Sequence, residues 1–158
     1  MLARALKDMV RRQIKTSEIQ ENPYVIWNAF IDLIAVEDYE DLTEVQRLAH
    51  LVFWYDSEVQ NGGHLQYFAN SSGRRAKEAE RALQELGMEC QQNILSEAVA
   101  HLSKNPLTEF ESVDDYVTAA RDDAFEAFDR RYYACSRDAN QYLEAYLERN
   151  LGHFIELT

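Results

Sequence analysis

Glu58-Val59-Gln60-Asn61-Gly62-Gly63-His64-Leu65-Gln66-Tyr67-Phe68-Ala69-Asn70-Ser71-Ser72-Gly73 decides the fold. The stretch holds three of the five glycines, and helix-like apolar patterns run into it and out of it. Asn-Gly-Gly is the strongest backbone break in the sequence, because these residues accept positive φ at little cost. Beyond the break, Gln66 and Asn70 sit four apart and share one face of a helix. Uncharged amides can be buried if their donors and acceptors are met. Glu58, Asn61, Gly62, Gly63, Gln66, Asn70 and Gly73 are therefore expected to be structural, with the two amides clamping a helix-to-helix junction to neighbouring backbone. A ligand or catalytic pocket at the turn, and a partner-binding turn, are the alternatives.

Outward from the break, both flanks read as helix. Upstream, Val45, Leu48, Val52, Tyr55 and Val59 follow at steps of three and four, and Thr43-x2-Gln46 can close a capping box. Before that, Asn22-Pro23 reads as a cap with proline at the first helical position, and Trp27, Phe30, Ile31 and Ile34 form an apolar stripe. Downstream, a short helix from His64 to about Asn70 is expected, and Ser71-Ser72-Gly73 offers a restart. Ala76, Ala79, Leu83 and Leu86 line the next helix, and Gly87 suits its C-terminal cap. Ile94, Leu95, Ala98, Val99 and Leu102 mark another, ended by Asn105-Pro106. Ser112-x2-Asp115 opens a further one, with Val113, Tyr116, Val117, Ala120, Ala124 and Phe128 inward. Tyr142, Leu143, Tyr146 and Leu147 carry the last, from about Asp138 to Leu151. Strand signals are nearly absent. The expected fold is all-α: a single globular bundle of about seven or eight helices spanning 1–158. Residues 1–20 read as a basic amphipathic helix packed on the body, with Leu2, Leu6, Met9, Val10 and Ile14 on one face.

Glu58-x2-Asn61-Gly62-Gly63-x2-Gln66-x3-Asn70-x2-Gly73 resembles the signature of a bacterial all-helical family, long a domain of unknown function, whose described member is a DNA mimic. Ala82-Leu83-x2-Leu86-Gly87, Phe128-Asp129-x2-Tyr132-Tyr133 and Tyr142-Leu143-x2-Tyr146-Leu147-x6-Phe154 resemble its later parts, so the similarity runs from about residue 25 to 155. The resemblance implies a helical fold and an activity carried by surface acids, not by the turn. It implies as partner a basic DNA-binding protein such as a transcription factor, whose DNA-binding face the acids would occupy.

Charge fits that class of partner. The chain carries 28 acids against 16 bases, a net charge of −12. Such a balance argues against direct nucleic-acid binding, which requires phosphate neutralisation. The excess sits in two blocks: residues 37–73 carry −6 and residues 105–158 carry −7. In the second block Asp115, Asp122, Glu126 and Asp129 are spaced seven, four and three, one face of a single helix. Duplex DNA carries about one charge per 1.7 Å of axis, far denser than one acidic helix. A mimic would need the 37–44 block, or the second subunit of a homodimer, to supply a parallel row. The expected contact residues are Glu37, Asp38, Glu40, Asp41, Glu44, Asp115, Asp122, Asp123, Glu126 and Asp129, chosen from this chain's charge pattern. The bland counterpart is that these acids only keep the protein soluble.

Catalytic and metal signals are weak. His50 and Glu58 lie eight apart, about 80° apart in azimuth on a straight helix, which fits one metal poorly. No zinc-protease or phosphate-loop pattern occurs. No cofactor, metal or catalytic residue is expected. Glu58 with Gln66 and Asn70 is the one cluster that could serve a small enzyme or ligand-binding domain with a polar pocket at Asn61-Gly62-Gly63. Cys90 and Cys135 read as two buried thiols in a reducing cytosol, and no apolar run approaches a membrane span. The expected location is cytoplasmic.

Overall fold

A computed structural model describes residues 9–107, 110–122 and 124–158. Eight α-helices and two three-residue strands make up the regular structure of these residues. In order they are β1 (Arg12–Ile14), α1 (Thr16–Glu21), α2 (Val25–Val36), α3 (Glu44–Ala69), α4 (Ala76–Glu85), α5 (Glu89–Lys104), α6 (Val113–Asp122), α7 (Glu126–Tyr133), α8 (Ala139–Phe154) and β2 (Ile155–Leu157). Short 3₁₀ turns at Tyr39–Asp41 and Ser71–Arg75 enter α3 and α4. The expected all-helical bundle is what forms.

Helix α3 is the axis, touching α2, α4, α7 and α8. It starts on the predicted capping box: Gln46 N–H donates to Thr43 Oγ1 at 3.3 Å, and Thr43 N–H donates to Gln46 Oε1 at 2.9 Å. Its apolar stripe, Ala49, Val52, Tyr55 and Val59, is wholly buried against Phe30, Leu33 and Ile34 of α2, Leu83 of α4, and Leu143 and Phe154 of α8. The α4 C-terminus also closes as expected. Gly87 has φ +77°, and Met88 N–H reaches back to Leu83 O at 2.9 Å.

Three expectations need correction. Residues 1–20 are not one helix over their described part. Arg12–Ile14 pairs in parallel with Ile155–Leu157 (Arg12 opposite Ile155), and a separate helix follows at Thr16. Buried Gln46 locks this corner, its Nε2 donating to Val10 O at 2.6 Å and His153 O at 2.7 Å. Strands of three residues are too short to show a period of two, so only long-range pairing reveals them. Second, the helix opened by Ser112 does not run on to Asp129: α6 ends at Asp122 and α7 begins at Glu126. Val113 and Val117 of α6 stand exposed instead of inward, while α7 packs on α3 and α5. Third, Cys90 and Cys135 are not buried thiols. They form a disulfide, with Cys90 exposed and Cys135 half-buried, tying the start of α5 to the end of α7.

Candidate functional site

The predicted break lies inside α3. Gly62 (φ −154°) and Gly63 (φ +71°, ψ −173°) leave the helical region, and the chain resumes helical geometry at His64. Only glycine takes the Gly63 conformation without strain. A Cβ there would also sit 2.3 Å from Asp129 Oδ2, and one at Gly73 would sit 2.3 Å from Tyr67 O. The glycines therefore permit close approach as well as a kink.

What approaches Gly63 is α7. Asp129 Oδ1 accepts from the His64 backbone N–H at 2.8 Å and lies 2.6 Å from His64 Nδ1. A carboxylate only accepts, so Nδ1 donates to Asp129, and Nε2 is hydrogen-bonded to the Tyr55 hydroxyl at 2.7 Å. Rings of Phe68, Phe128 and Tyr132 surround the imidazole. Beside this chain, Tyr132 donates to Asp56 Oδ1 at 2.5 Å. Burial raises the Asp56 carboxyl above its ordinary range, against the pull of the Tyr132 bond. Burial likewise pushes the Tyr55 and Tyr132 phenols well up. An Asp-His-hydroxyl sequence resembles a nucleophile relay, but His64 and Tyr55 are both at 0% exposure. The assembly is closed to solvent at His64 and Tyr55, and its hydrogen bonds hold α7 against the kink.

The two amides, expected to anchor on backbone, bond a carboxylate instead. Gln66 Nε2 and Asn70 Nδ2 both donate to Glu58 Oε2, at 2.7 and 2.8 Å, so they tie the two limbs of α3 through a carboxylate rather than through backbone. The cluster that sequence alone marked as an enzymatic candidate is thus assembled. The adjoining cavity, about 570 Å³, is not at the turn. Glu58 and Tyr67 line it with His50, Trp54, Arg74 and Arg75, and none of Asn61, Gly62 or Gly63 does.

The predicted contact acids differ in their freedom. Asp38 and Asp41 are exposed at the 3₁₀ turn before α3. Glu40 and Glu44 are exposed but paired, Glu40 with Arg75 at 2.9 Å and Glu44 with Arg81 at 3.6 Å. Glu37 is half-buried on Arg12 at 2.7 Å. Asp115 is exposed and accepts from Glu111 N–H at 3.1 Å, and Glu126 pairs with Arg130. Asp122 ends α6, while Asp123 lies outside the described residues. Asp129 does not face solvent as part of an acidic row; it is the buried-site anchor of His64. The row of four on one helix does not exist, because the chain turns between Asp122 and Glu126. Sequence reasoning missed the His64–Asp129–Tyr55 assembly. The available signal was that an acid directly follows Phe128 in an aromatic run ending at Tyr132-Tyr133.

An acid-rich helical domain built around a glycine-kinked helix, with its polar motif spent on holding the kink, is a class of protein and not yet a family. A family model described as DMP19-like protein matches residues 40–150. The chain belongs to this family. No curated protein and no solved structure matches it.

Proposed function

We propose that the protein is a DNA mimic that occupies the DNA-binding face of a basic transcription regulator and blocks its binding to DNA. Membership of the DMP19-like family over residues 40–150 carries this reading, and the net charge of −12 supports it. The contact surface centres on Asp38, Glu40, Asp41 and Glu44, with Asp115, Asp122, Asp123 and Glu126 as the second group. Asp129 is withdrawn from that set, and Glu37 is already committed to Arg12. Ion pairs of Glu40 and Glu44 with arginines would exchange for the partner's cations, a modest net change at an exposed site. With a regulator as partner the protein would act in the cytoplasm, whose reducing thiols oppose the Cys90–Cys135 disulfide.

The test is capture of partners from the native lysate across a range of salt, then competition of each captured regulator against its operator DNA. Wild type should displace DNA, and a variant carrying Asp38→Asn, Glu40→Gln, Asp41→Asn and Glu44→Gln should do so less well. Equal competition by that variant removes this surface from the mechanism. Absence of displacement by wild type removes mimicry. Ligand binding has one observation in its favour, the cavity bearing Trp54, His50 and Arg74 beside Glu58. It predicts that Trp54→Ala abolishes function while the acid variant keeps it.

A further inference from the structure

A second groove lies between the start of α2 and α8. Pro23, Tyr24, Ile26 and Trp27 form one wall, and Glu144, Leu147 and Glu148 form the other, around about 470 Å³. Among the described residues no lysine, arginine or histidine lines it. Tyr24 is 70% exposed although it is among the largest side chains near α2. Glu144 and Glu148 are exposed and sit one helical turn apart, where like charges repel. Neither makes an ion pair or side-chain hydrogen bond among the described residues. Arg149 follows Glu148 in sequence but does not line the groove.

We infer that this groove takes an arginine side chain from the basic partner, with the guanidinium stacked on Tyr24 and Trp27 and paired with Glu144 and Glu148. Charge complementarity commits it to a cation, because two carboxylates with no ion pair among the described residues flank it and a cation between them would relieve their repulsion. The aromatic wall selects arginine over lysine, since a planar, weakly hydrated guanidinium stacks on rings and forks to carboxylates. The same chain already uses this contact: Arg75 lies 3.7 Å from the Tyr39 ring centre and Arg47 4.6 Å from it. The inference rests on the reading of the protein as a ligand of a basic partner. It places a contact outside the acidic set above, partly on α2 residues that precede the family match.

Trp27 and Trp54 are the two tryptophans, so Trp54→Phe leaves Trp27 as the sole reporter. Titration of that protein with a hexa-arginine peptide should change Trp27 fluorescence saturably, and hexa-lysine should bind more weakly. Adding Glu144→Gln and Glu148→Gln should weaken hexa-arginine binding by about tenfold, since two exposed pairs together approach 1.4 kcal/mol. Tyr24→Ala, at a residue outside the core, should weaken it without unfolding, as checked by circular dichroism. Glu85→Gln with Glu89→Gln, exposed acids at the end of α4 and the start of α5, should leave the Trp27 response in place. A response that survives Glu144→Gln/Glu148→Gln, or equal affinity for the two peptides, overturns the inference. A groove that passes these tests in a protein that displaces no DNA leaves the inference standing and defeats mimicry.

Discussion

Gly63 and Asp129 are one feature seen from two helices. The glycine takes a conformation that side chains resist, and its bare Cα lets the carboxylate reach the His64 N–H. Gly63→Ala should cost roughly 1–3 kcal/mol from backbone strain alone, read as a lower urea midpoint. Asp129→Ala leaves a buried N–H and a buried imidazole without their acceptor, and about 2–3 kcal/mol should be lost. Asp38→Asn, an exposed acid from the same predicted set, should stay within about 0.5 kcal/mol. If Asp129→Ala melts like Asp38→Asn, the inward assignment is wrong. His50 supplies the pH dependence. Burial holds its imidazole below the ordinary value of 6.5, opposed by its hydrogen bond to Ile34 O and aided by the charge of Arg75. The fold thus favours the neutral ring. Stability from this group is fully present above pH 6.5 and is lost as pH falls through the lower folded value. Thermal melts from pH 7 down to about 5 should show that loss, and His50→Gln should reduce its slope.

At the scale of elements, the kink divides the work of α3. Its first limb is a regular amphipathic helix in the core, capped by Thr43. Its second limb is redirected by Gly62-Gly63 and fastened twice, by Glu58 to Gln66 and Asn70, and by Asp129 to His64. The α5–α7 contact has its own fastening, the ion pair Arg131–Glu97 at 2.5 Å and the disulfide. Cys90 and Cys135 are 45 residues apart, so closing that loop should contribute about 2–4 kcal/mol through the unfolded chain. Reduction, or Cys90→Ser with Cys135→Ser, should lower the urea midpoint accordingly while leaving helicity intact, because neither cysteine is among the buried core residues. Unequal far-ultraviolet spectra for oxidised and reduced protein would show that the bond shapes the fold as well as tying it.

For the whole molecule, the arithmetic of charge matters more than any row. Arg11, Arg12, Arg47, Arg75, Arg81, Arg130 and Arg131 are each held in ion pairs within the chain. The chain's arginines are thus largely spent on its own acids, and the surplus of acids is left for solvent or a partner. A surface of this kind steers a basic partner at long range, and the effect is screened within about 8 Å at physiological ionic strength. Association with a captured regulator should slow steeply as salt rises from about 0.05 to 0.3 M, while dissociation changes less. Stopped-flow rates at four salt concentrations would measure it. A salt-independent association rate would count against electrostatic steering and with it the simplest form of mimicry.

Much of this was legible in the chain. Caps, breaks and apolar periods act over three to five residues, so Thr43-x2-Gln46, the Asn61-Gly62-Gly63 break, the Gly87 cap and the α4, α5 and α8 stripes could be read directly. That Gln66 and Asn70 share a face followed from their spacing of four, but that Glu58 is their common acceptor did not. Tertiary structure decided the rest, where partners lie far apart in sequence. Asp129 meets His64 across 65 residues, Cys135 meets Cys90 across 45, and Arg12 pairs opposite Ile155 near the other end of the chain. Spacing alone made Asp129 one more acid on an outer face. The turn between α6 and α7 re-aimed its helix, and a carboxylate turned toward an unpaired N–H and an imidazole is held there instead of in water.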